Sequence, residues 1–187
     1  SLKSETSNFR ILNWNKTFAQ GLNFVIEYRN KRSHNLIVWS PDENYIWKPQ
    51  NLDRTERKNL IVSTNLPEII SGMTFSWTLT RTKTKNLNSG KTLQYVPEIS
   101  ATGMVRYTIN DIQLELQSKY VGKRTYADKT LNPFQNVTAG VHYNFPAFKE
   151  SLQFHIIVEN LLNENTAFYP DYPEPDRAVK AGMTFKF

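Results

Sequence analysis

From Met73 to Thr80 this chain alternates without a slip. Met73, Phe75, Trp77 and Leu79 fall on one face of an extended strand, and Thr74, Ser76, Thr78 and Thr80 on the other. Successive strand residues point to opposite faces, so a two-residue period selects a half-covered β-strand over a helix. The period recurs at Leu22, Phe24, Ile26 and Tyr28, and at Leu60, Val62 and Leu66. It returns over residues 99–109, 112–120, 137–145, 152–158 and 178–187, and less regularly over residues 8–16, around Leu12 and Trp14. The expectation is an all-β, antiparallel fold of about nine strands.

Alternation by itself fits a soluble barrel or sandwich with its greasy side inward as well as a membrane barrel with that side outward. The greasy faces here stay free of charge over the ten or so residues a tilted membrane strand requires, while the other faces carry Asn, Thr and ionisable groups at mid-strand. That division favours a transmembrane β-barrel with a wet interior. Hydrophobic residues make up 39% of the chain and aromatics 13%, a mixture suited to strands that are apolar at every second position. No apolar run approaches the roughly 18 residues of a spanning helix.

Connections alternate in length. Short ones fall near Gly21, at 67–72, at Asn110-Asp111 and at 146–150, and long ones at about 30–50, 81–96, 121–133 and 160–176. Unequal ends of this kind are expected of outer-membrane barrels, with short periplasmic turns and long extracellular loops. Aromatics near strand ends on the greasy face, Tyr28, Tyr107, Tyr120, Tyr143, Phe145, Phe185 and Phe187, would form the girdles at the two bilayer surfaces.

Several other signals carry less. The formal charge of +6 comes from scattered Lys and Arg, dense only at 54–58 and 81–85, and reads as a solvated rim with no nucleic-acid partner. With no cysteine there is neither a disulfide framework nor a thiolate site. Ser89-Gly90-Lys91-Thr92 lacks the earlier glycine of a phosphate loop, since Asn86 stands there. His34, His142 and His155 have no ligand spacing, and Asp171, Glu174 and Asp176 lack the glycine-bearing frame of a calcium loop. The sequon Asn136-Val137-Thr138 falls in an expected membrane strand. No catalytic constellation is placed by any motif, so neither enzyme activity nor a cofactor or bound metal is expected. Ser1 follows no initiator Met or export signal, consistent with a processed or internal start.

The order of features resembles the C-terminal barrel portion of a TonB-dependent outer-membrane receptor. The polar run 51–58 leading into Asn59-Leu60 is similar to that family's returning strand after an extracellular loop. Val96-Pro97-Glu98 resembles its Pro-containing entry to a late strand, and Tyr120-Val121-Gly122-Lys123-Arg124 the segment that ends the next. Val158-Glu159-Asn160-Leu161-Leu162-Asn163-Glu164 is similar to the family's penultimate-strand ending. It precedes aromatic loop residues, Pro175-Asp176-Arg177 and a terminal strand that stops on an aromatic. The resemblance implies a barrel of 22 strands holding an N-terminal plug and energised through TonB. Residues 1–187 would be the C-terminal part of that barrel domain, about nine strands, with the plug and the remaining strands supplied from outside this chain.

On that reading the protein sits in the bacterial outer membrane and takes up a large scarce solute such as a siderophore, metal chelate or cobalamin. Its partners are the lipid bilayer, the rest of the barrel and plug, the TonB system through the plug, and a small-molecule ligand. The alternative is a small self-contained outer-membrane barrel that anchors or adheres. Rings without an evident core are the ligand-contact candidates in extracellular loops: Trp39, Tyr45 and Trp47 in one loop, Tyr126 in another, and Phe168, Tyr169 and Tyr172 in the last, aided by Lys48, Arg54 or Arg124. Met183, Phe185 and Phe187 mark the terminal strand used in barrel assembly.

Overall fold

A computed structural model describes residues 2–42, 46–126, 129–148, 152–169 and 172–186. Strands β1 (Thr6–Thr17), β2 (Asn23–Pro41), β3 (Trp47–Ile70), β4 (Met73–Asn86), β5 (Ile99–Ile109) and β6 (Ile112–Val121) follow in chain order. A small hairpin, β7 (Arg124–Tyr126) and β8 (Lys129–Leu131), interrupts them before β9 (Phe134–Asn144) and β10 (Leu152–Glu159). A second, β11 (Ala167–Tyr169) and β12 (Tyr172–Pro173), precedes β13 (Ala178–Phe185). Nine of these strands form one antiparallel sheet in the order β1-β2-β3-β4-β5-β6-β9-β10-β13, each beside its neighbour in the chain.

One end of the sheet is closed by short links: single 3-10 turns at Ala19–Gly21 and Pro146–Phe148, and two-residue turns at Ser71-Gly72 and Asn110-Asp111. Gly72 has φ 79°, and a Cβ there would sit 2.1 Å from the Thr108 carbonyl oxygen, so only glycine fits. Asn110 takes φ 50°, the left-handed form that a tight hairpin turn asks for.

The other end departs from the sequence reading. Residues 30–50, expected as a long connection in which Leu36 to Trp39 alone could extend the strand, are mostly strand, because β2 runs for 19 residues and β3 for 24 and they pair out to Pro41 opposite Trp47. β4 continues to Asn86 within the expected 81–96 loop, and the two later connections contain the β7–β8 and β11–β12 hairpins. The 67–72 turn shrinks to two residues, with a register irregularity between Leu66 and Ile70. β1, the weakest expected strand, pairs with β2 along its whole length.

Register carries the greasy face across the sheet. Trp14, Ile26, Val62, Leu79, Ala101 and Tyr120 lie opposite one another on successive strands. Val105, Leu116, Ala139, Val158 and Val179 make a second row. The reverse face holds ion pairs, Arg106 with Glu115 at 2.9 Å and Lys180 with Glu159 at 2.7 Å, and the facing rings of His142 and His155. No described residue covers the apolar face: Leu116 is 46% exposed, Val141 46% and Ile156 41%. Among the described residues the buried apolar side chains are only Val121, Phe134 and Val137. A water-soluble sheet packs its apolar face on a second layer, and the described residues supply none.

Candidate functional site

Above the apolar rows, at the end with the long connections, β2 and β3 continue as a paired ribbon. Asn35 sits there at φ 54°, a conformation that Asn adopts at low cost, and the inward phase of the ribbon changes at that point. Before it, Lys31 and Ser33 of β2 and Thr55 and Arg57 of β3 line a cleft; after it, the lining passes to Leu36 and Val38 with Leu52 opposite. The Asn35 carbonyl accepts from Asn51 Nδ2 at 2.7 Å, which ties the switch across the ribbon. The β4–β5 connection supplies the far wall with Lys91, Leu93 and Tyr95, and β7 adds Tyr126. The cleft encloses about 670 Å³, within the usual span for small-molecule sites.

Beside it, rings from four separate segments close on one another. Tyr95 stacks on Tyr126 with centroids 5.1 Å apart and meets Tyr169 edge-on at 4.9 Å. Trp47 touches Tyr95 at 5.9 Å and Tyr169 at 5.5 Å, and Phe168 lies 5.0 Å from Tyr169. Burial, and then the neighbouring Tyr126, push the Tyr95 hydroxyl well above the ordinary tyrosine range. The Tyr95 N–H also donates to the Thr125 carbonyl at 2.9 Å, so the β4–β5 connection is fastened to β7 by backbone and ring together.

Arg124 is the buried centre of this end, at 2% exposure. Its Nη1 donates to the Gly122 carbonyl at 3.0 Å and its Nη2 to the Ala167 carbonyl at 2.8 Å, while the guanidinium lies 5.1 Å from the Phe134 ring and 5.2 Å from Phe168. Desolvation draws its pKa down, opposed by Glu174. Gly122 permits the approach: its N–H donates to the Ile99 carbonyl at 2.8 Å, and a Cβ there would lie 2.5 Å from the same oxygen. The last connection is organised by Asn160, 1% exposed at φ 47°. Its Nδ2 donates to the Glu164 carbonyl at 2.9 Å and to the Pro175 carbonyl at 3.3 Å, and its Oδ1 accepts from the Glu164 N–H at 3.1 Å.

The ten expected ligand contacts therefore divide. Trp47, Tyr126, Phe168 and Tyr169 are brought into one ring cluster, where they have a core in each other, and Trp39 stands at the cleft rim, 61% exposed. Arg124, expected as a ligand contact, is spent on backbone carbonyls and ring faces. Lys48 pairs with Asp42 at the ribbon tip at 2.7 Å, Arg54 points away from the cleft to Asn88 at 3.3 Å, and Tyr172 is exposed on β12; none lines the cleft. Tyr45 and Phe187 lie outside the described residues, as does Asp171. Met183 and Phe185 fall in β13 as expected. Tyr95, Lys31 and Arg57 were not singled out from the sequence. A ring isolated in a polar connection was the available sign for Tyr95, but the two cations sit in stretches without alternation. Ser89 to Thr92 belong to a folded turn in which Asn86 Oδ1 accepts from the Asn88 and Ser89 N–H groups at 2.9 and 3.1 Å, with no helix following. Among the described residues no group of three or more His, Asp or Glu is placed to hold a metal.

No protein-family model and no curated protein matches the sequence. Solved structures do match its fold over the full chain. The ferric enterobactin receptor PfeA of Pseudomonas aeruginosa superposes with a TM-score of 0.78 at 20% identity, the copper transporter OprC with 0.80 at 14%, and the siderophore receptor PirA of Acinetobacter baumannii with 0.78 at 17%. In each case the chain spans 32% of the other protein's length. At these identities the likeness establishes the fold: nine neighbouring strands of a transmembrane β-barrel, as the resemblance to the TonB-dependent receptors led one to expect.

Proposed function

We propose that this chain forms part of the barrel wall of an outer-membrane receptor that imports a large scarce solute, a siderophore, metal chelate or cobalamin. The apolar face meets lipid, the polar face lines the lumen, and the long connections face the outside. Ligand would be captured at that outer end, and a plug within the lumen, moved through TonB, would pass it inward. The observation that carries this reading is the cleft of about 670 Å³ above a membrane-spanning sheet, whose lining combines the cations Arg57 and Lys91, Lys31 in its ion pair with Glu5 at 3.1 Å, and the rings of Trp39, Tyr95 and Tyr126. Cations beside aromatic faces suit an anionic, ring-bearing chelate. The names of the structural neighbours, which mention ferric enterobactin, copper and siderophores, support metal and metal chelates as the first class to try.

The test is direct titration of the full-length protein in detergent with ferric catecholates, ferric hydroxamates, copper and cobalamin. One of these should bind, and Arg57→Gln together with Tyr126→Ala should weaken it at least about tenfold, the loss expected for one charge-assisted hydrogen bond and one ring contact. Binding that is indifferent to both substitutions would remove the cleft from the reading. If none binds and a strain lacking the gene adheres poorly, the anchoring alternative gains instead.

A further inference from the structure

On the apolar face, charge begins abruptly and only on β1–β4. Trp14, Ile26, Val62 and Leu79 form an uncharged row, and the next row toward the long-connection end is Leu12, Tyr28, Leu60 and Arg81. Above that come Arg10, Asn30, Lys58 and Lys83, and then Asn8, Arg32, Glu56 and Lys85. Six cations thus meet one carboxylate. Glu56 is already engaged by Arg32 at 2.9 Å and Lys58 at 3.0 Å, while Arg10, Arg81, Lys83 and Lys85 are exposed and have no carboxylate partner among the described residues. At the same end β5, β6 and β9 present Ile99, Tyr120 and Gln135 instead. Adjacent strands stand about 4.8 Å apart and alternate residues of a strand about 6.8 Å apart, so several cations can surround a single phosphate group.

We propose that this belt binds the phosphate-bearing headgroups of lipids in the outer leaflet. The belt is continuous with the apolar rows beneath it, so one molecule with an anionic head and apolar chains matches both surfaces. A soluble acidic partner would match only the upper rows. A merely solvated rim would interleave both signs of charge. The inference rests on the proposed direction of the apolar face toward lipid.

The experiment uses the full-length protein in detergent micelles doped with bisphosphorylated lipid A or with the same lipid dephosphorylated, and reads bound lipid by native mass spectrometry. The phosphorylated form should be retained selectively. Arg10→Gln/Lys83→Gln/Lys85→Gln should weaken its retention by on the order of a hundredfold, roughly fivefold per charge, while Lys119→Gln on the reverse face should not change it. Equal retention of both lipids, or an unchanged triple variant, overturns the belt. Acyl-chain bromines separate that failure from an error of sidedness: they should quench a protein whose sole tryptophan is Trp77, a member of the apolar face. Absence of quenching would overturn both the orientation and the belt that rests on it.

Discussion

An arginine placed at Ile156 tests the sidedness on which the functional reading depends. β10 presents Leu152, Phe154, Ile156 and Val158 on the apolar face, and Ile156 lies opposite Val141 on one side and Ala181 on the other, with no charge in the row. If the face meets lipid, Ile156→Arg holds a guanidinium near the middle of a hydrocarbon band about 25 Å tall, and the expected cost is about 2–4 kcal/mol. That lowers the folding equilibrium about 30- to 900-fold. The neighbouring residue gives the control. His155 projects from the other face, opposite His142 and above Gly182, whose missing Cβ leaves room for the ring. His155→Arg should cost under about 1 kcal/mol, as a substitution in a wet environment does. Urea titration of the full-length protein in phosphatidylcholine vesicles, followed by tryptophan emission and heat-modifiable gel mobility, measures both. Equal penalties would refute the division of faces, and a larger penalty at 155 would reverse it.

Substitutions at three further positions probe the outer end. Arg124→Lys keeps the charge but loses the planar contact with two rings and two carbonyls; exchange protection of the 160–177 connection should fall by about 2 kcal/mol, and unchanged protection would mean the clamp is not needed. Asn160→Gly keeps the left-handed backbone and loses the amide, whereas Asn160→Ala loses both, so proteolysis of the same connection should be faster in the alanine variant, by a factor corresponding to about 1 kcal/mol; equal rates would remove the backbone term. Because the folded-state pKa of Tyr95 is raised, its contribution is complete below the ordinary tyrosine value of about 10 and is lost as pH climbs past it. The ring cluster should therefore loosen in alkali, and Tyr95→Phe should flatten that dependence in an ultraviolet difference titration.

What the sequence showed of this fold is what the bilayer imposes on it. Where one face must be apolar and the other wet, as in Met73 to Thr80, residue type alternates and the strand can be seen directly. Above the membrane that demand ends. Asn30-Lys31-Arg32-Ser33-His34 and the strand opposite it carry polar side chains on both faces, so a continuous ribbon looked like a loop. The inward phase then changes at Asn35, which no periodicity announces. The candidate rings were visible because they had no strand neighbours to explain them. Their convergence was not visible, since Trp47, Tyr95, Tyr126 and Tyr169 come from segments tens of residues apart that meet only through register. The segment Asn160 to Glu164 carries a resemblance in sequence, and its physical content is a buried asparagine that bonds both ends of its own connection.

The two edges of the sheet set one more condition. β1 and β13 each pair on a single side, so half of their backbone N–H and C=O groups point away from any partner within the sheet. In hydrocarbon each unsatisfied group costs several kcal/mol, and an edge of about ten residues carries enough of them to exceed the roughly 5–15 kcal/mol net stability of an ordinary fold. An open nine-stranded arc therefore cannot rest in a bilayer, and we propose that further strands of the barrel cover both edges. The consequence can be measured in the full-length protein in membranes. Along β13, amides that bond to β10 and amides directed away from it should be equally protected from hydrogen exchange, because each set has a neighbour. If the outward set exchanges freely while the inward set is protected, the barrel is open at this edge and the closure proposed here is wrong.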